Sequence, residues 1–128
     1  MNKIQIYKDC KVIKGMQSPE EIVNAQLDAY NSRDTERFLS FYADDTVLRD
    51  ADGTVLMDGK LAMRERYGRL FSESPNIHCT IANRSVLGPY IIDHEIVIGR
   101  AGGNIRAVVV YFVKDEKITH VTLAKQIL

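Results

Sequence analysis

The chain has little cysteine, no excess of charge and no long apolar run, and each shortage closes off a class of function. Cys10 and Cys79 are its only cysteines. They lie far apart, with no CxxC or Cys/His spacing of the kind that builds a zinc site, so reduced, inert thiols are expected. Seventeen basic side chains balance seventeen acidic ones. No long run of one sign appears, which leaves no electrostatic footprint for nucleic acid or an anionic membrane. Nowhere do about eighteen apolar residues follow one another, as a membrane span would require. The opening "MNKIQIYKDCKVIKGM" alternates apolar and charged residues where a signal peptide would carry a continuous apolar core. A cytoplasmic protein is expected. Repeats, low-complexity segments and linkers are missing too, and 128 residues suffice for one domain with a real core and no disulfide.

What is present divides into a helical part and a strand-rich part. "SPEEIVNAQLDAYNSRD" has Ser18 as a helix cap, Pro19 in the first turn and Glu21 completing a capping box, so a helix runs to about Asn31. Ile22, Val23, Leu27 and Tyr30 form its apolar stripe. At about 100° per residue Gln26 falls within that stripe, which implies a buried amide with a partner. Asp34 caps a second short helix through "TERFLSFYA". Two short strands then turn at Asp52-Gly53. A third helix fits "GKLAMRERYGRLFSES", weakened by Gly68, with Met63, Tyr67, Leu70 and Phe71 on one face. From Asn76 on, four longer strands at hairpin spacing predict an antiparallel meander, with turns at Gly88-Pro89, "RAGGN" and "KDEK". The sum is an α+β domain over residues 18–128, its helices on one face of a curved sheet. Residues 1–17 form an extension that could add an edge strand.

Four aspartates, Asp44, Asp45, Asp50 and Asp52, crowd the stretch "YADDTVLRDADGT". Strand alternation puts Thr46, Leu48 and Asp50 on one face. If Leu48 points to the core, so does Asp50, and a carboxylate among apolar neighbours has a raised pKa and gains as a general base. Asp44 and Asp45 are expected to close a helix, and Asp52 to make a turn.

The order of elements, with "NSRD…FLSFYADD" and "YFVKDEKITHV" as markers, resembles the nuclear transport factor 2-like superfamily. Closer still, it resembles the SnoaL-like and steroid-isomerase-like bacterial proteins, over roughly residues 18–128. This implies a cone-shaped half-barrel around the first helix, an apolar pocket between helices and sheet, and a homodimer paired through the outer sheet face. In ketosteroid isomerases the proton-abstracting aspartate stands where Asp50 stands here. Their two oxyanion donors, a tyrosine on the first helix and a protonated aspartic acid on a late strand, fall on Gln26 and near Val109, so both expected donors are replaced. Such a fold hosts many activities, including plain binding.

The candidate catalytic residues are therefore Asp50 as base, with Gln26 and Tyr67 orienting the substrate. Leu48, Tyr30, Met63, Val109, Tyr111 and His120 are the expected substrate contacts. Arg84 should pair with Asp93 or Glu95, as cross-strand ion pairs on the outer sheet face or across a dimer. His78, His94 and His120 form no metal motif. "RAGGN" lacks the strand-to-helix context of a phosphate loop. No metal, cofactor, nucleic acid or membrane is expected as a partner. Two functions stay open: a cofactor-free acid–base isomerase, cyclase or lyase-like enzyme acting on a small apolar carbonyl compound, and a non-catalytic ligand-binding or dimerisation domain.

Overall fold

The computed structural model describes residues 15–128. The edge strand expected of residues 1–17 falls almost wholly outside that range, as does Cys10. Helix α1 spans Pro19–Asn31. Its capping box forms as the S-x-x-E spacing requires: the Ser18 hydroxyl accepts from the Glu21 amide at 3.1 Å, and the Glu21 carboxylate accepts from the Ser18 amide at 3.3 Å. Ile22, Val23, Gln26 and Ala29 are its buried face. Helix α2, Thr35–Leu39, is capped by Asp34, whose side chain accepts from the Arg37 amide at 3.1 Å.

The second helix ends earlier than the sequence predicts. Strand β1 already begins at Tyr42 and runs to Asp50, because its backbone finds partners on the last strand: the Ile118 amide donates to the Phe41 carbonyl at 2.8 Å. The buried Thr46 hydroxyl lies 2.6 Å from the Ile118 carbonyl and 2.7 Å from that of Ala43, and donates to one or the other. Asp44 and Asp45 therefore do not close a helix. They are exposed strand residues, in the stretch where the register against the last strand shifts between Tyr42 and Val47.

Strand β2, Val55–Asp58, returns antiparallel to β1 after a turn in which the Thr54 amide donates to the Asp52 carboxylate at 2.9 Å and Gly53 takes φ 94°. Helix α3, Lys60–Glu73, follows. The meander is β3 (His78–Leu87), β4 (Tyr90–Ile98), β5 (Ile105–Lys114) and β6 (Lys117–Ile127). The six strands form one sheet in the order β2-β1-β6-β5-β4-β3, in which only the β1–β6 pairing is parallel. Asp115 and Glu116, with φ of 51° and 62°, make the two-residue turn between β5 and β6, the backbone twist that suits a tight hairpin. Gly99 must be glycine: a Cβ there would collide with the Asn76 carbonyl.

The sheet is curved and unclosed, and the helices pack against its inner face. This is the α+β cone expected from the sequence. Ile22, Val23, Phe38, Leu39, Met63, Ile77, Ile91 and Ile118 are at most 2% exposed, and each such side chain contributes about 1.5–3 kcal/mol by leaving water. Edge strand β3 is secured by Asn31 at the end of α1. Its side chain donates to the Cys79 carbonyl at 3.0 Å and accepts from the Cys79 amide at 2.8 Å, as a neighbouring strand would. No helix among the described residues is long and apolar enough to cross a membrane.

Candidate functional site

Between α1, α3 and the inner sheet face lies a cavity of about 140 Å³. A cavity of roughly this volume accommodates a single aromatic ring. Tyr30, Phe38 and Tyr67 line one side as part of an aromatic cluster, with Tyr30–Tyr67 and Phe38–Tyr67 ring centroids 6.5 and 4.7 Å apart. Leu48, Val97, Val109 and Val121 line the sheet side. The buried polar groups of this wall form one chain. The Tyr42 hydroxyl donates to Gln26 Oε1 at 2.9 Å, and Gln26 Nε2 approaches the Tyr111 hydroxyl at 3.5 Å and the Val23 carbonyl at 3.2 Å. Tyr111 in turn donates to Glu95 Oε2 at 3.0 Å.

Glu95 is where this chain ends. It is 8% exposed, and burial pushes its carboxyl up to about 7. The Tyr111 hydrogen bond opposes that shift, the Asp93 charge adds to it, and the Cys79 thiol and Arg84 pull it back. Near neutrality Glu95 can thus take a proton or give one. The phenols around it stay protonated. Burial and then the Glu95 charge raise Tyr67 to about 12, and burial raises Tyr30, Tyr42 and Tyr111 as well. Burial also raises the Cys79 thiol, which keeps it a thiol, not a nucleophilic thiolate.

Tyr42 and Tyr111 use their hydroxyls within the chain. Those of Tyr30 and Tyr67 have no hydrogen-bond partner among the described residues, yet no buried side-chain polar atom is left unsatisfied. Both side chains line the cavity, so among the described residues their hydroxyls are the donors available to a ligand there.

The sequence-predicted residues distribute unevenly over this site. Tyr67, Gln26, Tyr30, Leu48, Val109 and Tyr111 all line the cavity. Gln26 does so with its amide already engaged at both ends, so it holds Tyr111 and Tyr42 in place and has little left to offer a ligand. Met63 is fully buried core and not cavity wall. His120 points the other way: it is exposed and packs edge-on against Phe112, with ring centroids 6.0 Å apart. An irregularity in the β5–β6 pairing between Phe112 and Val113 sets this orientation.

Asp50 shares the face of Leu48, as alternation requires, but stands at the last position of β1, outside the cavity wall. Its carboxylate accepts from the Ala51 amide at 2.7 Å, folded back onto its own turn. Arg84 takes Asp93, one of its two expected partners, but on the other face of the sheet. Register sets it opposite Asp93, where its guanidinium forks onto both carboxylate oxygens at 2.6 and 2.8 Å. This pair lies on the inner face beneath α1, where Arg84 also meets Asn24 and, at 3.6 Å, Glu20. Asp93 is fully buried.

The sequence offered Glu95 only as an alternative partner of Arg84 and not as a residue of the cavity. In "YIIDHEIVI" both faces of the strand carry isoleucine, so alternation alone does not say which side faces inward. Among the described residues no group of three or more His, Cys, Asp or Glu is placed to hold a metal ion.

A family model described as a SnoaL-like domain matches residues 23–121. The chain belongs to the SnoaL-like family. No curated protein matches it by sequence, whereas many solved structures share its fold. An uncharacterised cystatin-fold protein from Novosphingobium aromaticivorans is 25% identical at a TM-score of 0.77, covering 85% of this chain and 99% of its own. A protein of ketosteroid isomerase-like fold from Catenulispora acidiphila, in complex with trimethylamine, is 21% identical at 0.68, covering 81% and 84%. IdmH, a candidate polyketide cyclase from Streptomyces antibioticus, is 15% identical at 0.71, covering 86% and 93%. At identities this low the second and third likenesses establish the fold of this SnoaL-like protein, and its chemistry must be argued from its own cavity.

Proposed function

We propose that this SnoaL-like protein is a cofactor-free acid–base enzyme that moves a proton on a small, mostly apolar carbonyl compound, with Glu95 as the base. The observation that carries this reading is a single one: a buried carboxyl, pushed up to about 7 by its burial, lines the same cavity as two phenols whose hydroxyls have no partner among the described residues. Glu95 takes a proton from the carbon next to the carbonyl. The charge that develops on the substrate oxygen is met by Tyr30 and Tyr67, two donors fixed in advance in an apolar site. They would fill the part left empty by the replaced donors of the ketosteroid isomerase pattern. Glu95 then returns the proton to another carbon, an isomerisation, or the enolate carbon attacks a second carbonyl, whose C=O π bond opens to an alkoxide that takes the proton back from Glu95, a cyclisation of the kind suggested by the likeness to IdmH. Tyr111, Gln26 and Tyr42 are positioning residues in this scheme.

One observation favours the alternative of a binding domain without chemistry: Asp50, at the family's base position, is turned onto its own hairpin. Exchange of the α-hydrogens of small ketones with deuterated solvent separates the two. Catalysis predicts exchange that Glu95→Gln lowers by about 10²–10⁴-fold, together with tighter binding of a phenol such as 4-ethylphenol to the variant. Phenol binding with no exchange in either protein would leave only the binding domain.

A homodimer through the outer sheet face is part of the same proposal, supported by the exposed Leu87, Tyr90, Ile98 and Val108 on β3, β4 and β5. Light scattering should give twice the chain mass, and Val108→Lys should halve it.

A further inference from the structure

The cavity wall is not uniform in charge. In a chain with no net charge, three cations gather along it: Arg66 of α3, Arg100 of the β4–β5 loop and Lys125 of β6. Among the described residues none of them takes part in a salt bridge, and Arg100 donates to the Gly103 carbonyl at 3.2 Å. They crowd one another. Burial, and then the charges of Arg100 and Arg66, push the Lys125 ammonium below its usual value, against the pull of Asp50.

Strand register relates this cluster to Glu95. Glu95 pairs with Ala107, and Ala107 pairs with Lys125. The three form one row across β4, β5 and β6, and all three line the cavity. Two strand spacings separate the ends of the row, roughly 10 Å between backbones, and both end side chains shorten that span. Ala107 between them is small and leaves the floor open. An anionic group beside Glu95 would meet the like charge of its ionised form, whereas beside Lys125 it meets three cations with no salt-bridge partner among the described residues.

We propose that the ligand of this cavity is a small carboxylic acid, its carboxylate resting on Arg66, Arg100 and Lys125 and its apolar, carbonyl-bearing end reaching Glu95. One aromatic ring or a short acyl chain fits both the row and the cavity volume. The direction in which the ligand lies rests on the proton-transfer reading of Glu95; the preference for an anion does not.

Calorimetric titration with 4-hydroxyphenylacetate and with 4-hydroxyphenylacetamide tests this, since the two share ring and phenol and differ in charge. The acid should bind at least roughly tenfold more tightly at low salt, and added salt should shrink the difference. Lys125→Met and Arg66→Met, substitutions of exposed side chains, should each remove a large part of the preference. Equal affinities overturn the proposal, as does failure of both compounds to bind, or a preference that survives replacement of all three cations by Met. Glu95→Gln serves as the separate arm: if it changes neither affinity while the acid remains preferred, the proton-transfer reading falls and the anion site stands.

Discussion

Asp93 and Glu95 stand two residues apart on β4, on the same inner face, and both are buried, yet their surroundings give them different work. Asp93 lies under α1 and receives both arms of the Arg84 fork. Glu95 opens onto the cavity beneath α3, and there its partners are a phenol and a thiol, with no guanidinium in contact. A buried carboxylate that is matched by a cation becomes part of the frame. One met by neutral donors alone keeps a proton within reach of neutrality and becomes available for chemistry. Position on the strand is the same kind of information for both residues; what separates them is the element that covers each.

The largest expected effect tests the open side of this contrast. Glu95→Gln should lower ketone hydrogen–deuterium exchange by about 10²–10⁴-fold, while Asp50→Asn, outside the cavity wall, should stay within a few-fold of the parent, as followed by proton NMR. A loss at Asp50 as large as that at Glu95 would reverse the assignment. The paired side is tested by Arg84→Met, which strands a buried carboxylate and should cost about 3–5 kcal/mol in urea unfolding. Adding Asp93→Leu to that variant should recover part of the loss. If the double variant is less stable by the sum of the two single effects, Arg84 and Asp93 are not the coupled pair that their geometry describes.

Much of this frame could be read in the sequence because local rules determined it. The capping box at Ser18 and Glu21, the Asp34 cap and the hairpin spacing of the meander each act over a few residues. Gln26 was legible as a buried amide needing a partner, since helical periodicity alone puts it in the stripe, and its partners are Tyr42 and Tyr111. The site itself was less legible. Asp50 shares the Leu48 face as alternation says, but depth along the cone, which periodicity does not encode, leaves it at the rim. Glu95 was legible only as a possible ion-pair partner, because β4 carries apolar residues on both faces, one turned to the core and the other to the outer surface. His120 was misplaced by an irregularity in β5–β6 pairing, and Asp44 and Asp45 by a strand that claims residues with helical neighbours.

The pH dependence of stability gives a sharper test of the difference between Glu95 and its paired neighbour. Glu95 keeps its proton up to about pH 7 in the folded protein, against 4.5 as its ordinary value. Between these values the folded state binds more protons than the unfolded one, so stability falls as pH rises through this window and then levels off. The difference amounts to about 3 kcal/mol for this group. Glu95→Gln should abolish this slope in urea unfolding followed from pH 4.5 to 8, and should be more stable than the parent at the upper end. An unchanged slope would mean that Glu95 is not the carboxyl held neutral in the cavity.

The smallest expected effect concerns the helices that cover the two carboxylates. Helix α1, over Asp93, starts with a complete capping box. Helix α3, over the cavity, starts at Gly59 with no side-chain cap and carries Gly68 next to Tyr67 in its interior. A methyl group at Gly68 would meet nothing within 4 Å, so Gly68→Ala adds neither clash nor contact and acts through the backbone alone, lowering the entropy lost when the helix forms. Thermal unfolding should show a gain of about 1 kcal/mol. If that gain comes with slower ketone exchange, Gly68 is serving mobility over the cavity; if exchange is unchanged, the looser construction of α3 carries no part of the chemistry, and the contrast between the two carboxylates lies in their partners alone.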